Sequence, residues 1–237
     1  MRSITYICYI CGVALIAAAM LVIGCTSDTS EQAPGGALEP NKAVTAEDET
    51  RKAERLAAGA AEAAAVVERA RAGTITGNVL QNGSFESWSE RDGAQLPVHW
   101  LPVEQETTVK VSRVAAAGDV HDGKNALRVV ADPGVVSLGS DDVAISETEN
   151  AELRGKMVTA GVWAKADTPG AAFINIRDGV GESLVIDHPG DGSWQFIAVS
   201  HTLDLHATVA MVRIGNRKQD DKTAVVFDGA VLLAPAQ

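Results

Sequence analysis

The chain has 237 residues with 20 basic and 31 acidic side chains, which gives a formal net charge of −11 at pH 7. This excess of negative charge argues against nucleic acid as a main partner, because binding to a phosphate backbone depends on lysine and arginine. The charge is compatible with an exported protein that meets neutral glycans or divalent cations. All three cysteines, Cys8, Cys11 and Cys25, lie in the first 25 residues, so the remainder must be held by its core or by an ion.

Residues 1–24 have the composition of a secretory signal peptide, with a single basic residue before a long apolar run. The run is long enough that one membrane-spanning anchor is the alternative interpretation. The small residue Gly24 directly before Cys25 resembles a bacterial lipobox. This resemblance implies that Cys25 becomes a lipidated N-terminus that holds the protein at the membrane of the cell envelope. If the organism has two membranes, the same resemblance implies that Thr26, rather than Asp, in the next position favours the outer membrane or the cell surface over the inner membrane.

The next two segments differ sharply in composition. Residues 25–44 form the anchor and a tether rich in Ser, Thr, Pro and Gly, which bury too little apolar surface to offset the entropy cost of ordering. Residues 45–73 are rich in Ala, Glu and Arg and predict a helix of about seven to eight turns. The large apolar residues of this helix are only Leu56, Val66 and Val67. We therefore expect a solvated spacer or a weakly self-associating coil rather than a core helix.

Residues 76–237 contain short β-branched runs separated by Gly, Asp, Asn and Pro, a pattern that predicts one all-β sandwich domain. The domain opens with Asn82-Gly83, a turn signal because both residue types tolerate positive φ. Phe85 and Trp100 are candidate core residues on either side of this opening turn. Glu86 is a candidate ligand for an ion.

The clearest strand pattern lies at residues 158–165. Its alternation places Trp163 on one face and four small aliphatic residues on the other, namely Val158, Ala160, Val162 and Ala164. Two interpretations follow. Either Trp163 faces solvent or a groove, where its indole ring stacks on a sugar, or the tryptophan side is the core side of the strand.

Five short sequence pieces occur in an order typical of one fold family. They are Asn82–Glu86 with Pro97 and Trp100, Asp122–Val129, Leu153–Lys156, Gly192–Gln195 and Val226–Leu233. From about Asn78 onwards the chain resembles the galactose-binding-like jelly rolls, especially carbohydrate-binding modules of the cellulose- and xylan-binding type. The resemblance implies a jelly-roll β-sandwich. It does not specify a ligand, because the same sandwich carries many functions.

In such modules a calcium ion commonly ties the opening turn to the last strand. Carried over to this chain, the resemblance implies Glu86 and Asp228 as ligands, with further oxygens from around Asp122 to Asn125. Ca²⁺ takes about 6–8 oxygen ligands, and one ion joining both chain ends suits a sandwich without disulfides. The family often shows two adjacent acidic residues in the last strand, whereas Gly229 follows Asp228 here. The alternative is that the two carboxylates are ordinary solvated or salt-bridged groups.

A glycan-binding groove usually presents exposed aromatic faces flanked by polar groups, and only 4% of this chain is aromatic. Trp100 and Trp194 match positions of core aromatics in the resembled fold, so they are expected to be structural. Trp163, Asn175 and Arg177 are the candidate ligand-binding residues, on the hypothesis that they share one open face of the sandwich.

The sequence contains no recognisable catalytic motif. The five histidines lack a metal-ligand spacing such as H-E-x-x-H and are expected at exposed or edge positions, and there is no G-x-S-x-G elbow. Neighbouring carboxylates fall in predicted loops, and adjacency in sequence does not place two of them across one cleft. We expect a non-catalytic protein that binds glycans at the cell envelope. The alternative is a structural, protein-interaction or adhesion module without sugar binding.

Overall fold

The structure, a computed structural model, describes residues 46–91, 93–103, 110–130, 136–140, 143–145, 150–217 and 223–235. The expected signal peptide, the lipidation residue Cys25 and the tether that follows it lie outside the described residues. Within the described ranges, no helix is both long and apolar enough to cross a membrane.

One α-helix precedes a series of thirteen short strands in the described residues. The elements are α1 (Ala46–Arg71), β1 (Trp88–Arg91), β2 (Ala94–Pro97), β3 (Trp100–Pro102), β4 (Lys110–Val114), β5 (Ala126–Val130), β6 (Val136–Ser140), β7 (Val143–Ala144), β8 (Met157–Ala166), β9 (Ala172–Arg177), β10 (Ile186–Asp187), β11 (Trp194–Thr202), β12 (Val209–Asn216) and β13 (Ala224–Leu233). A short 3₁₀ helix (Ala151–Leu153) precedes β8.

Most of the strands form two antiparallel sheets that face each other. The six-stranded sheet has the order β10-β9-β12-β6-β3, with β7 also paired to β12, and the five-stranded sheet has the order β11-β8-β13-β5-β4. Strands β1 and β2 form a separate hairpin. The last strand, β13, pairs with both β5 and β8, so the end of the chain lies inside its sheet. The described domain is therefore a jelly-roll β-sandwich, as the sequence predicts.

The core lies between the inner faces of the two sheets. Phe85 and Trp100 are fully buried there, with ring centroids 5.0 Å apart, which confirms both as core residues. The aliphatic face of β8 is the core face, because Val158, Ala160 and Val162 belong to this core. Side chains at odd-numbered positions of β8 point away from the core, as the period of two requires.

Helix α1 is not a solvated spacer, because it packs on the outer face of the five-stranded sheet. Its Val66 is fully buried, and Ala63 and Ala70 are 9% exposed. These residues form a second apolar cluster with sheet residues that face away from the main core: Phe196, Ala198, Val231 and Leu233. Val66, one of the few large apolar residues expected to drive self-association, is thus already used within the chain.

Small side chains explain why a helix with so thin an apolar stripe packs so closely. A Cβ atom at Gly59 would lie 3.6 Å from Cβ of Ser200 on β11, so the helix backbone lies almost against the sheet there. The sheet supplies the large residues and the helix supplies the small ones. The helix sequence alone does not predict this contact, because most of the large apolar residues belong to the sheet.

The opening turn lies against the last strand. The side-chain amide of Asn78 donates to the carbonyl of Ala230, and its Oδ1 accepts from the backbone N–H of Leu232. Gly83 is needed beside them because a Cβ there would collide with the carbonyl oxygen of Ala230. Asn82 adopts a φ of 48°, as the predicted turn requires. This packing brings Glu86 and Asp228 to the same side of the domain.

Candidate functional site

The carboxylate of Glu86 holds a loop at residues 121–125, here called the clasp loop. Its Oε1 accepts hydrogen bonds from the backbone N–H groups of Lys124 (2.6 Å) and Asn125 (3.1 Å), and its Oε2 accepts from Nδ2 of Asn125 (2.7 Å). The Lys124 bond, with the two bonds from Asn125, lowers the pKa of Glu86 against the opposing effect of burial. Gly123 has a φ of 75°, and a Cβ there would collide with Oε1 of Glu86.

Asp228 holds the other end of the clasp loop from β13, where it is 1% exposed. Its Oδ2 accepts from the backbone N–H groups of His121 and Asp122, both at 2.9 Å. Its Oδ1 accepts from the N–H of Gly229 at 2.8 Å. Burial raises the pKa of Asp228 to about 6, although the three N–H donors favour the charged form.

The two carboxylates expected to bind calcium therefore do meet at one loop, but they meet N–H donors there. Ca²⁺ needs about 6–8 oxygen ligands, whereas the loop presents hydrogen-bond donors to Glu86 and Asp228. Across the described ranges, no group of three or more His, Cys, Asp or Glu side chains is placed to hold a metal ion. These contacts do not fit a calcium site, because N–H groups rather than oxygen atoms face the two carboxylates. Glu86 and Asp228 instead join the loop to the opening turn and to the last strand by direct hydrogen bonds.

Trp163 faces away from the core, but its ring is not an open platform. The imidazole of His121 stacks on it with ring centroids 3.8 Å apart and planes inclined by 17°. Phe196 meets the indole edge-on at 5.4 Å, and Trp194 meets His121 in the same manner at 5.5 Å. Burial lowers the pKa of His121. Because Asp228 binds the backbone N–H of His121, the clasp loop holds the imidazole over Trp163.

Trp194 corrects a further expectation. It is half-buried on the outer face of the five-stranded sheet, opposite Lys165 of β8, rather than in the core between the sheets. Its Nε1 is buried and has no hydrogen-bond partner among the described residues. The resemblance predicted the strand at this position correctly, but its prediction that Trp194 faces the core was wrong.

Asn175 and Arg177 lie on β9 of the six-stranded sheet, whereas Trp163 lies on β8 of the five-stranded sheet. Ile174 and Ile176 of β9 are in the core, so Asn175 and Arg177 face outwards on the opposite side of the sandwich from Trp163. The hypothesis that all three share one face is therefore wrong. The two residues of β9 do share a face with each other.

Both outward residues of β9 contact the same carboxylate. Oε2 of Glu182 accepts from Nδ2 of Asn175 at 3.2 Å and from Nε of Arg177 at 3.1 Å. Asn175 is only 1% exposed, yet its Oδ1 has no hydrogen-bond partner among the described residues. Leaving a buried acceptor unpaired costs about 1–3 kcal/mol. We call the outer face around Asn175, Arg177, Glu182 and Arg213 the polar face.

Arg213 of β12 lies directly opposite Asn175 and completes the polar face. Its Nε donates to Oγ of Ser137 at 2.8 Å, and its guanidinium lies 5.5 Å from the ring centroid of Phe173. The guanidinium of Arg217 lies 5.0 Å from the same ring and also pairs with Asp187. The alternation of β9 alone places Phe173, Asn175 and Arg177 on one face, but only strand pairing brings Arg213 to them.

One Asp–His pair lies elsewhere, at the end of β11. Nε2 of His201 is 3.1 Å from Oδ2 of the buried Asp178. Burial acts to raise the pKa of Asp178, but three backbone N–H bonds and the His201 bond together lower it. The hydroxyl of Ser200 is bonded to that of Thr159 at 2.7 Å rather than to this imidazole. The pair therefore holds the loop after β9 against the end of β11.

His188 is 1% exposed, so the expectation that all five histidines are exposed or at edges is wrong.

Comparisons with known proteins give structural likenesses only. No protein-family model and no curated protein matches the chain. Among solved structures, a CBM61 module in complex with β-1,4-galactotriose is 16% identical over 68% of this chain and all of that chain, with a TM-score of 0.44. A CBM4 module is 19% identical over 66% of this chain and 99% of that one, with a TM-score of 0.46.

A third likeness is to an enzyme. The enzymatically active domain of tailspike protein 4 from bacteriophage CBA120 is 12% identical over 67% of this chain, with a TM-score of 0.46. The match spans only 21% of the tailspike chain. At these identities and TM-scores the likenesses assign no function to this chain. The strand pairing of the described residues shows the jelly-roll β-sandwich directly.

Proposed function

We propose that this protein is a non-catalytic carbohydrate-binding module whose saccharide site is the polar face. The observation that carries the proposal is the group of polar side chains around β9: the side chains of Arg177 and Glu182 are exposed, and behind them the buried Asn175 has an Oδ1 without a donor among the described residues. A sugar hydroxyl both donates and accepts, so adjacent hydroxyls can donate to Glu182 and accept from Arg177. The carbohydrate-binding modules among the structural likenesses are consistent with this proposal.

Recognition on the polar face would depend on hydrogen bonds rather than on ring stacking. Phe173, the aromatic residue of this face, is 2% exposed and lies beneath the guanidinium groups of Arg213 and Arg217. The indole that the sequence suggests as a platform, that of Trp163, is on the other sheet and is covered by His121. The proposed site therefore differs from the Trp163 groove that the sequence suggests.

Attachment to the cell envelope through a lipid on Cys25 belongs to the same proposal and rests on the Gly24-Cys25 pattern alone. An exported module on a tether would meet polysaccharides outside the membrane. The proposed role is to hold the protein on an envelope or extracellular glycan.

The test measures binding of the full chain to soluble xylan, β-glucan and β-1,4-galactan by affinity electrophoresis and calorimetry. Arg177→Ala should weaken binding by about tenfold or more because it removes hydrogen bonds to the ligand, and Asn175→Ala should weaken it because it removes the hydrogen bond that positions Glu182. Two variants of the opposite sheet serve as controls. Lys165→Ala removes an exposed ion pair with Asp119, and Trp163→Ala removes the indole. Both should bind as the unmodified protein does.

Two results would overturn the proposal. One is the absence of binding to every polysaccharide tested while the protein remains folded. The other is loss of binding in Trp163→Ala with retention in Arg177→Ala, which would move the site to the five-stranded sheet.

A further inference from the structure

A groove runs along the side of the sandwich, next to the polar face proposed for saccharides, with which it shares Glu182. It lies between the N-terminal half of α1, the edge strand β11 and the chain segment just before β10, and it encloses about 490 Å³. Leu56 of the helix and Leu184 of the segment before β10 line it and are 49% and 62% exposed. Two large apolar side chains thus remain open to solvent on the two sides of one groove.

The helix side of this groove is basic in a protein that is strongly acidic. Arg51, Lys52 and Arg55 all line it. Among the described residues, Lys52 and Arg55 make no ion pair, and Arg51 has only an exposed contact of 3.4 Å with Glu47. Glu182 also lines the groove, but its carboxylate is bonded to Arg177 and Asn175. The groove therefore presents three positive charges that the described chain leaves almost uncompensated, against a net charge of −11.

The floor of the groove is a strand with one open edge. Residues 198–202 of β11 line it, and β11 is the terminal strand of its sheet, paired in the described residues with β8 alone. An edge strand presents a row of N–H and C=O groups that an extended peptide can pair with. Five residues of strand cover about 13 Å, and the helix residues from Arg51 to Ala63 rise by about 18 Å, so one short segment would reach both.

We propose that this groove binds an extended acidic peptide segment by strand addition to β11. The backbone of the peptide pairs with the open edge of residues 198–202. Acidic side chains of the peptide contact Arg51, Lys52 and Arg55 on the helix side, and apolar side chains at alternate positions, which point the other way, contact Leu184. A peptide is favoured over an acidic polysaccharide because only a peptide supplies N–H and C=O groups at strand spacing together with apolar side chains.

The test uses the full chain and a fluorescein-labelled peptide of three Glu-Val repeats, with binding followed by fluorescence anisotropy at low salt. Saturable binding is expected. Neutralising the groove with Arg51→Gln, Lys52→Gln and Arg55→Gln should weaken it by about tenfold, because three exposed ion pairs of modest strength are lost. The matched control is Arg69→Gln with Arg71→Gln on the same helix, whose partners are Glu62 and Glu68 outside the groove. This control should bind the peptide unchanged.

A second probe separates strand addition from charge attraction. The same peptide, N-methylated at alternate residues, keeps its charges but cannot donate backbone hydrogen bonds along one edge, and it should bind at least about tenfold more weakly. Equal affinity of the methylated and unmethylated peptides would overturn the proposal. So would the absence of saturable peptide binding, or binding of polygalacturonate, but not of the peptide, that depends on Arg51, Lys52 and Arg55.

Discussion

At the residue scale, Glu86 and Asp228, which the family resemblance implies as calcium ligands, hold the clasp loop by hydrogen bonds. Both carboxylates accept hydrogen bonds from backbone N–H groups of the clasp loop, Glu86 from near the start of the domain and Asp228 from near its end. Hydrogen bonds between an ionised acceptor and N–H donors are among the stronger ones in proteins. They also position His121, so the same contacts cover the ring of Trp163.

Gly123→Ala tests the close approach of the clasp loop to Glu86. The substitution should lower the free energy of unfolding by about 1 kcal/mol for the positive φ and by roughly a further 1–3 kcal/mol for displaced hydrogen bonds. Gly118→Ala is the matched control, because Gly118 has a φ of 91° but a Cβ added to it would meet no atom within 4 Å. Urea unfolding of both variants measures the difference. Equal destabilisation would show that the Glu86 contact contributes nothing.

At the element scale, helix α1 divides its surface between two uses. Its C-terminal half buries Ala63, Val66 and Ala70 against the five-stranded sheet. Its N-terminal half carries Arg51, Lys52, Arg55 and the exposed Leu56 along the side groove. The helix thus closes one outer face of the sandwich and at the same time forms one wall of the proposed peptide groove.

Val66→Ala tests whether α1 belongs to the folded domain. Removing two buried methyl groups should lower the free energy of unfolding by about 2 kcal/mol, since Val66 is fully buried between helix and sheet. Leu56→Ala removes a larger side chain from an exposed position of the same helix and should cost less than about 0.5 kcal/mol. Urea unfolding followed by circular dichroism compares the two. Equal small effects would indicate a helix that is not packed on the sheet.

At the scale of the whole molecule, the two outer faces of the sandwich are unequal. Helix α1 and the clasp loop cover much of the five-stranded sheet, whereas the six-stranded sheet presents the polar face. This inequality separates the proposed saccharide site from the residues that stabilise the fold. It also places the groove for a peptide at the side of the sandwich, where Glu182 belongs to both the groove and the polar face.

Thermal melting with and without a chelator tests whether a calcium ion helps to join the opening turn of the domain to its last strand. We expect the same midpoint in excess EDTA and in millimolar calcium, because Glu86 and Asp228 already bind N–H groups and the described residues do not fit a calcium site. Magnesium serves as the control for ionic effects. A midpoint that falls with EDTA and is restored by calcium, but not by magnesium, would re-establish the ion.

The amino-acid sequence by itself determined the local features of this protein. Alternation with a period of two identified the inner face of β8, and Asn82-Gly83 identified the opening turn, because both depend on neighbouring residues and backbone φ. It also indicated Glu86 beside that turn, whereas Asp228 was implied by the family resemblance; both carboxylates meet N–H groups. The lipidation prediction came from resemblance and concerns residues outside the described ranges. The calcium prediction also came from resemblance, and the N–H groups that meet Glu86 and Asp228 do not fit it.

Only the tertiary structure decided which faces are open and which residues meet. Trp163 is covered because β13 pairs with β8 and brings Asp228, and with it His121, beside the indole. Asn175 and Arg177 lie on the opposite face because β9 belongs to the other sheet. Such neighbours depend on pairings between strands far apart in the chain, and a local sequence pattern does not predict those pairings. Helix packing follows the same rule, since the apolar surface that buries Val66 belongs to strands far along the chain from α1.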